Sequence, residues 1–266
     1  MVFKKGSLIS ENKNQALRLF DSLVDEYAND REKMPLFREQ IEFMDSAFKG
    51  DSGRILDLGC AAGSEVRNLK DHGFRVIGVD LSLRMLERAQ KRFSREPGTW
   101  FCRADAELLP FRSESVDGVV CLGLLEYLED YGPTIAEIHR VLRDNARAVF
   151  AIPTRWSAFM MGQRIAESTV APVWRYAKHL LRPNPVAGLV VPPHRRTLCV
   201  PGQFRNMLQR NGFRVEASRF SAYLLYPFDR FPALNFKLAR LLQPLCRVPL
   251  LRNGATVYMV AARKIG

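Results

Sequence analysis

The sequence predicts an α/β fold, a three-layer sandwich in which a mostly parallel, seven-stranded sheet lies between helices. Residues 55–80 read ILDLGCAAGSEVRNLKDHGFRVIGVD: an apolar strand, a glycine-containing turn, a helix and a second strand that ends in an acid. Apolar strand segments then alternate with helical segments as far as residue 153. This alternation is typical of parallel strands joined by crossover helices. A chain of 266 residues is long enough for one large domain with insertions.

Each predicted strand is a short run rich in apolar residues. The seven runs are 55–58, 74–79, 99–103, 116–122, 148–152, 214–220 and 256–263. A turn at 143–146 is expected before the fifth strand.

The helices are predicted from apolar residues at helical spacing. Two helices are expected within 11–49, the second opening at Pro35, and another at Pro133, because proline fits the first turn of a helix. After Gly63, Val66 and Leu69 indicate a helix packed closely on the sheet. After the second strand, Leu83, Leu86 and Ala89 are expected to form the buried stripe of a helix.

The turn after the first strand has the features of a nucleoside site. At Gly59 the backbone can approach a ligand, because glycine adopts conformations that other residues avoid. Asp80 ends the next strand, where a carboxylate can accept both hydroxyls of a ribose. Asp57 stands two residues before Gly59, where it would repel a pyrophosphate and attract a cationic amino group. A purely structural βαβ turn without a ligand is the alternative.

At these residues the sequence resembles the class I methyltransferases that use S-adenosylmethionine (SAM), whose first motif is D/E-x-G-x-G-x-G. Asp57, Gly59 and Gly63 match the motif, and Ala61 stands at its central glycine. The resemblance extends to the ubiquinone/menaquinone-type methyltransferases, also called methyltransferase type 11. It implies a Rossmann-like fold whose last strand is antiparallel, a helical segment that covers the cofactor, and SAM as that cofactor.

The resemblance also implies individual contacts with SAM. Leu81 would cover one face of the adenine, and Met85 would approach it from the side. Asp105 would accept a hydrogen bond from the adenine amino group, with the Ala106 N–H facing the ring. Backbone at Leu122 would meet the methionine part. The complete set of expected cofactor-binding residues is Asp57, Gly59, Cys60, Ala61, Gly63, Asp80, Leu81, Met85, Asp105, Ala106 and Leu122.

The resemblance implies substrate and catalytic residues beyond the fourth strand and in the helical segment before the first one. Tyr27 and Leu124 are candidates to line the substrate site, and Tyr27 has a packing role as its alternative. Glu126 and Tyr127 are candidate catalytic residues that either transfer a proton or orient the substrate. His194 is the candidate base, with an ordinary loop histidine as the alternative. No residues have the spacing of a metal site.

Composition restricts the cellular setting. The five cysteines are an odd number without C-x-x-C spacing, which favours buried free thiols in a reducing compartment over disulfides. The start MVFKKGSLIS lacks the apolar region of a signal peptide. No run of about 18 apolar residues occurs, so no transmembrane helix is expected. We therefore expect a cytoplasmic protein.

Charge divides the chain into two parts. Residues 1–153 contain 22 Lys and Arg against 25 Asp and Glu, whereas residues 154–266 contain 18 against 3. The predicted organisation is a helical cap (1–50), a SAM-binding core (51–153), a basic amphipathic insertion (154–200) and completion of the core (201–266). The last part contains an apolar and basic insertion at 221–253.

The basic insertions admit several interpretations. Residues 154–200 form either a lid over the substrate or, together with 229–252, a contact with an anionic membrane. The second segment is alternatively a packed helical cap or a contact with an apolar partner. Nucleic acid is less expected, because no RNA-reading module accompanies the charge. The membrane interpretation places the protein peripherally on the inner face of a membrane.

The resulting functional hypothesis is methyl transfer to a lipophilic small molecule, such as a quinone precursor, a polyketide or a lipid-linked metabolite. Oxygen is the expected acceptor atom. One alternative is an RNA methyltransferase that uses the basic part of the chain. Another is a non-catalytic module that binds SAM or a partner protein.

Overall fold

The computed structural model describes residues 11–25, 31–33, 35–158, 161–162, 197–221, 234, 237–238, 241–248 and 254–266. Its centre is one seven-stranded sheet with the strand order β3-β2-β1-β4-β5-β7-β6. The strands are β1 (Gly53–Leu58), β2 (Phe74–Asp80), β3 (Thr99–Arg103), β4 (Val116–Leu122), β5 (Leu142–Pro153), β6 (Phe213–Ser221) and β7 (Val257–Lys264).

The strand directions confirm the predicted fold class. β1 pairs in parallel with β2 and β4, β2 with β3, and β4 with β5. β7 is antiparallel to both of its neighbours, β5 and β6. Because β1, β2 and β4 are adjacent and parallel, their carboxyl ends meet at one edge of the sheet. Ligands bind at this edge in open α/β sheets.

Helices cover both faces of the sheet. They are α1 (Glu11–Ser22), α2 (Pro35–Ala47), α3 (Val66–Asp71), α4 (Leu83–Arg92), α5 (Gly132–Val141) and α6 (Pro201–Arg210). One apolar cluster joins α5 and α6 to one face of the sheet, and a second joins α2 and α3 to the other face. Their separation by the sheet gives the three layers expected from the sequence.

The helix expected after Gly63 is confirmed at Val66–Asp71, with Val66 and Leu69 buried. The structure corrects two local predictions. β5 begins at Leu142, which pairs with Val116, and the expected turn is reduced to a left-handed Asn145 (φ 62°) within the strand; asparagine tolerates this conformation. Leu83 is 49% exposed and does not belong to the buried stripe of α4, which contains Met85, Leu86 and Ala89.

Most of both basic insertions, together with Tyr27 and His194, lies outside the described residues. Within the described part, no helix combines the length and the apolar character needed to cross a bilayer. The five cysteines are free thiols, and Cys60, Cys121 and Cys199 are buried. The division into four segments stays a prediction.

Candidate active site

A crevice opens at the carboxyl ends of β1, β2 and β4 and is covered by α1. Its volume is about 770 Å³ with the open mouth included. The residues that line it are Lys13, Ala16, Leu17, Phe20, Gly59, Ala61, Val79, Asp80, Leu81, Ser82, Met85, Ala104, Asp105, Ala106, Gly123, Leu124, Tyr127 and Leu128. Nine of the sixteen residues predicted for the site therefore line one crevice.

Asp80, the predicted ribose-binding acid, is held rigidly at the end of β2. Its Oδ1 accepts a hydrogen bond from the Ser82 N–H (2.8 Å), and its Oδ2 accepts one from the Ala61 N–H (2.9 Å). Burial raises the pKa of Asp80 above its ordinary value, although these backbone N–H groups lower it. Each carboxylate oxygen has two acceptor sites. Both oxygens therefore have acceptor capacity for a diol.

Ala61 explains how the turn brings its N–H to Asp80. Its φ of 44° lies in the left-handed region, which residues with a β-carbon adopt at a cost of about 1–2 kcal/mol. A glycine at this position, as in the motif, would remove this cost. Alanine in place of that glycine therefore introduces backbone strain in the turn. Gly63, also left-handed (φ 79°), packs so tightly that an added β-carbon would lie 2.7 Å from the Phe93 ring.

All four residues predicted for the adenine end line the crevice: Leu81, Met85, Asp105 and Ala106. Lys13 of α1 donates to both oxygens of Asp105 (2.8 and 2.7 Å). The acid predicted to accept from adenine thus also anchors the covering helix.

Three further contacts fix α1 across the crevice. Lys13 pairs with Glu107 at 2.7 Å, and the Ser82 hydroxyl donates to Asp21 at 2.5 Å. Phe20 meets the Tyr127 ring edge to face at 5.2 Å between centroids. The apolar face of α1 is predicted by the helical spacing of its apolar residues. The partners of Lys13 and Asp21 are distant in sequence, so no local pattern predicts these contacts.

At the β4 end, the crevice is lined by Gly123, Leu124, Tyr127 and Leu128. Leu124 packs against the first glycine of the turn, since a β-carbon added to Gly59 would lie 3.0 Å from the Leu124 β-carbon. Of the predicted substrate and catalytic residues, the structure thus brings Leu124 and Tyr127 to the crevice.

Five predicted residues lie behind its wall: Asp57, Cys60, Gly63, Leu122 and Glu126 are not among the lining residues. Glu126 is only 6% exposed, and its backbone carbonyl accepts from the Thr197 N–H at 3.0 Å. Burial raises the pKa of the Cys60 thiol well above its usual range. The functional roles of all five stay predictions.

Behind the wall, Asp57 belongs to a buried charge cluster that sequence reasoning missed. Asp57 is 2% exposed, and its Oδ2 has no hydrogen-bond partner among the residues that the structure describes. Glu65, also buried, accepts from Arg31 Nη2 at 2.6 Å. Burial, then the charge of Glu65, raises the pKa of Asp57 well above normal, opposed by Arg31.

These features fit the SAM molecule as a cofactor. Asp80 has acceptor capacity for a ribose diol, and apolar Leu81 and Met85 line the same crevice. Behind its wall, Oδ2 of Asp57 has no hydrogen-bond partner in the described part of the chain. A Rossmann-like domain with this crevice belongs to the class of nucleoside-cofactor-binding enzymes.

Comparison with known proteins shows what the chain is similar to. Residues 56–150 match the family model described as "Methyltransferase domain". The chain is 26% identical over 153 residues to a malonyl-[acyl-carrier protein] O-methyltransferase of Hamiltonella defensa, covering 57% of each chain. It is 34% identical over 101 residues to the ubiquinone/menaquinone biosynthesis C-methyltransferase UbiE of Desulfotalea psychrophila, covering 37% of this chain and 40% of that one.

The fold agrees with these matches. A SAM-dependent methyltransferase from Mesorhizobium loti superimposes with a TM-score of 0.56 at 21% identity, over 84% of this chain and 96% of that one. Residues 56–150 of this chain match the methyltransferase domain family, and the prediction of a class I SAM-dependent methyltransferase domain, with SAM as its cofactor, is confirmed. The chain spans about half the length of the curated relatives it matches.

Proposed function

We propose that the whole chain transfers a methyl group from SAM to an oxygen atom of a lipophilic small molecule. The observation that carries the proposal is the position of the crevice. Its adenine and ribose end, at Asp80 and Asp105, continues past Gly123 into a wall of Leu124, Tyr127 and Leu128. A methyl donor held at the first end would present its sulfonium to an acceptor at the second.

SAM supplies an electrophilic methyl group on a sulfonium, which a nucleophile attacks in line. The task of the chain is therefore to hold the reactants and exclude water, which can remove several kcal/mol of the barrier. Asp80 orients the ribose, and α1 closes the crevice over Leu81 and Met85. Tyr127 lies at the acceptor end, where its hydroxyl can donate a hydrogen bond to an acceptor oxygen and orient it.

The apolar wall supports a lipophilic acceptor. Ala16, Leu17 and Phe20 of α1 line the same crevice as Leu124 and Leu128. The names of two relatives point to acyl and quinone-type acceptors, methylated on oxygen in one case and on carbon in the other. A quinone precursor, a polyketide or a lipid-linked acyl group fits this lining better than a polar metabolite does.

The test is incubation of the purified chain with radiolabelled SAM and separate lipid, RNA and polar-metabolite extracts. We expect label in the lipid fraction, bound as a base-labile methyl ester or as a base-stable methyl ether. Label in RNA would replace the proposal with the RNA methyltransferase. Retention of SAM without transfer to any fraction would replace it with the non-catalytic module.

We further propose that the basic insertions at 154–200 and 229–252 place a cytoplasmic protein on the inner face of an anionic membrane. The charge of residues 154–266, 18 basic against 3 acidic, supports this contact. The full chain should sediment with vesicles containing phosphatidylserine, less so at high salt, and not with phosphatidylcholine vesicles. Absence of sedimentation with both vesicle types would favour a lid or cap that packs within the molecule.

A further inference from the structure

A second cavity lies beside the edge strand β6, where α6 begins. Its volume is about 840 Å³ with the open mouth included. The residues that line it are Trp156, Val200, Pro201, Gly202, Arg205, Ser218, Phe220 and Tyr258. None of them lines the crevice that contains Asp80. The methyl-transfer scheme therefore leaves this cavity unused.

Aromatic side chains form the apolar part of the lining. Phe220 of β6 and Tyr258 of β7 are paired in the register of these strands, and their ring centroids lie 4.8 Å apart. Trp156 follows β5 and is 51% exposed, and the guanidinium of Arg155 lies 5.7 Å from the centroid of its ring. Three rings in one lining provide a surface against which a hydrocarbon or another ring can pack.

The polar part of the lining is cationic. Arg205, in the second turn of α6, is exposed, and among the described residues no acid is paired with it. Residues 197–221 contain four arginines and one acid, Glu216. The carboxylate of Glu216 already accepts from Arg147 and Arg263. The charge around the cavity is therefore positive, which favours an anion as its ligand.

The start of α6 adds hydrogen-bond donors to this cation. No side chain of the described part caps the helix at Val200. Gly202 follows in the first turn, where N–H groups lack partners within the helix. A β-carbon added to Gly202 would meet no described atom within 4 Å, so the space beside this backbone is open. Ser218 of β6 contributes a hydroxyl to the same lining.

We propose that this cavity binds a phosphate ester that carries an apolar group, with the phosphate at Arg205 and the apolar group against Trp156 and Phe220. A purely polar anion would leave the rings uncovered, and a purely apolar ligand would leave Arg205 without a partner. A phosphate group has three strong acceptor oxygens. The guanidinium, the first-turn N–H groups and the Ser218 hydroxyl are donors of the kind that bind it.

The cavity and the crevice are separate sites joined by one short segment. At one end of this segment, the Thr197 N–H donates to the Glu126 carbonyl at 3.0 Å, and the Thr197 hydroxyl donates to the carbonyl of Leu128, which lines the crevice. At the other end, Val200 lines the cavity. Side chains that line only the cavity can therefore be changed without altering a residue of the crevice, and the proposal does not depend on the methyl acceptor.

Apolar phosphate esters come from two sources, the phospholipids of a membrane and free metabolites. The exposed Trp156 lies at the cavity, and Met161, a few residues further along the chain, is 47% exposed. Tryptophan is enriched at the boundary between membrane and water. Both sources present the same chemistry to Arg205, so the experiment has one arm for each.

The binding arm is calorimetric titration of the full chain with dihexanoyl phosphatidic acid, kept monomeric, and with inorganic phosphate. We expect the ester to bind at least about tenfold more tightly than inorganic phosphate, because the rings contribute only to the ester. Arg205→Met should weaken the ester about ten- to hundredfold, the loss of one charge-assisted contact. Trp156→Ala should weaken the ester and leave the affinity for inorganic phosphate unchanged.

Arg210→Met is the matched control for Arg205→Met. Arg210 is an exposed arginine in the last turn of the same helix, and it does not line the cavity. Its substitution makes the same change of charge and should leave the affinity for the ester at the wild-type value. The SAM affinity of all three variants should equal that of the wild type, which shows that they are folded.

The vesicle arm identifies the source of the ester. Weaker sedimentation of Arg205→Met than of Arg210→Met with phosphatidic acid vesicles would assign the cavity to a lipid headgroup. Equal sedimentation of the two variants, together with weaker binding of the monomeric ester by Arg205→Met, would assign it to a free ester. Both results support the site.

Three results would overturn the proposal. Equal affinities for the ester and for inorganic phosphate would exclude a role of the rings, and equal losses in Arg205→Met and Arg210→Met would reduce the effect to general positive charge. Absence of binding of both probes to the wild type would exclude the site itself. Failure of the wild type to bind SAM would instead refute the proposed function and leave the result at this cavity standing.

Discussion

The acids at the crevice and an acid on the packed half of the sheet have different surroundings. On β6, burial alone would raise the pKa of Glu216, but hydrogen bonds from Arg263 and Arg147 lower it below its usual value. At the crevice, burial raises the pKa of both Asp57 and Asp80. Glu216 is thus paired with two arginines, whereas no arginine or lysine hydrogen bond to Asp57 or Asp80 is among those of the described residues. This contrast is typical of functional sites.

The largest effect is expected from the apolar core of the packed half. Phe150 on β5 is fully buried and meets the rings of Phe204 and Phe213 edge to face, at 5.7 and 6.4 Å. Phe150→Ala should lower the free energy of unfolding by about 3–5 kcal/mol in denaturant titration. SAM affinity of the folded fraction should stay at the wild-type value, and its loss would mean that the two regions are not independent.

A smaller effect is expected at the adenine end of the crevice. Asp105→Ala removes the predicted acceptor of the adenine amino group together with the anchor of Lys13. SAM affinity should fall about tenfold, the loss of one hydrogen bond to a charged group. Lys13→Met is the matched variant, since it releases α1 but keeps the acceptor. An equal loss in both variants would assign the effect to the anchoring of α1 alone.

Glu216 tests the packed half through its charge. Its side chain is 27% exposed, so Glu216→Gln should cost about 1 kcal/mol or less. Because the pKa of Glu216 is lowered on folding, its contribution is present above the unfolded value and lost as the pH falls through the folded one. Wild type and variant should therefore converge in stability in acid. A difference that persists there would exclude the charge as its cause.

The smallest effect is expected at the strained turn. Ala61→Gly removes the left-handed strain but adds flexibility to the unfolded chain, which offsets part of the gain. We expect thermal unfolding to show a stabilisation of up to about 1 kcal/mol, with SAM binding retained. Ala62→Gly is the control, because Ala62 is a buried neighbour without a positive φ. Equal effects of the two substitutions would contradict the strain at Ala61.

The parts of this molecule that sequence predicted are those specified locally. Apolar strands, the acid at the end of β2 and the glycine turn are each encoded within a few residues, so their meeting at one sheet edge follows from topology. The pairing of Arg31 with Glu65 joins residues 34 positions apart and leaves no local pattern. The exposure of Leu83 was missed for a related reason. Helical spacing predicts which residues share one face of a helix, but it does not predict at which end of the helix that face becomes exposed to solvent.

The central claim is that the crevice at the ends of β1 and β2 binds SAM through Asp80. Its most direct test is a calorimetric comparison of the SAM affinities of Asp80→Asn and Asp71→Asn. Asp71 is exposed at the end of α3, and its substitution makes the same change of charge. We predict wild-type SAM affinity for Asp71→Asn and at least about hundredfold weaker binding for Asp80→Asn, with both variants folded by circular dichroism. Equal affinity of the two folded variants would contradict the account.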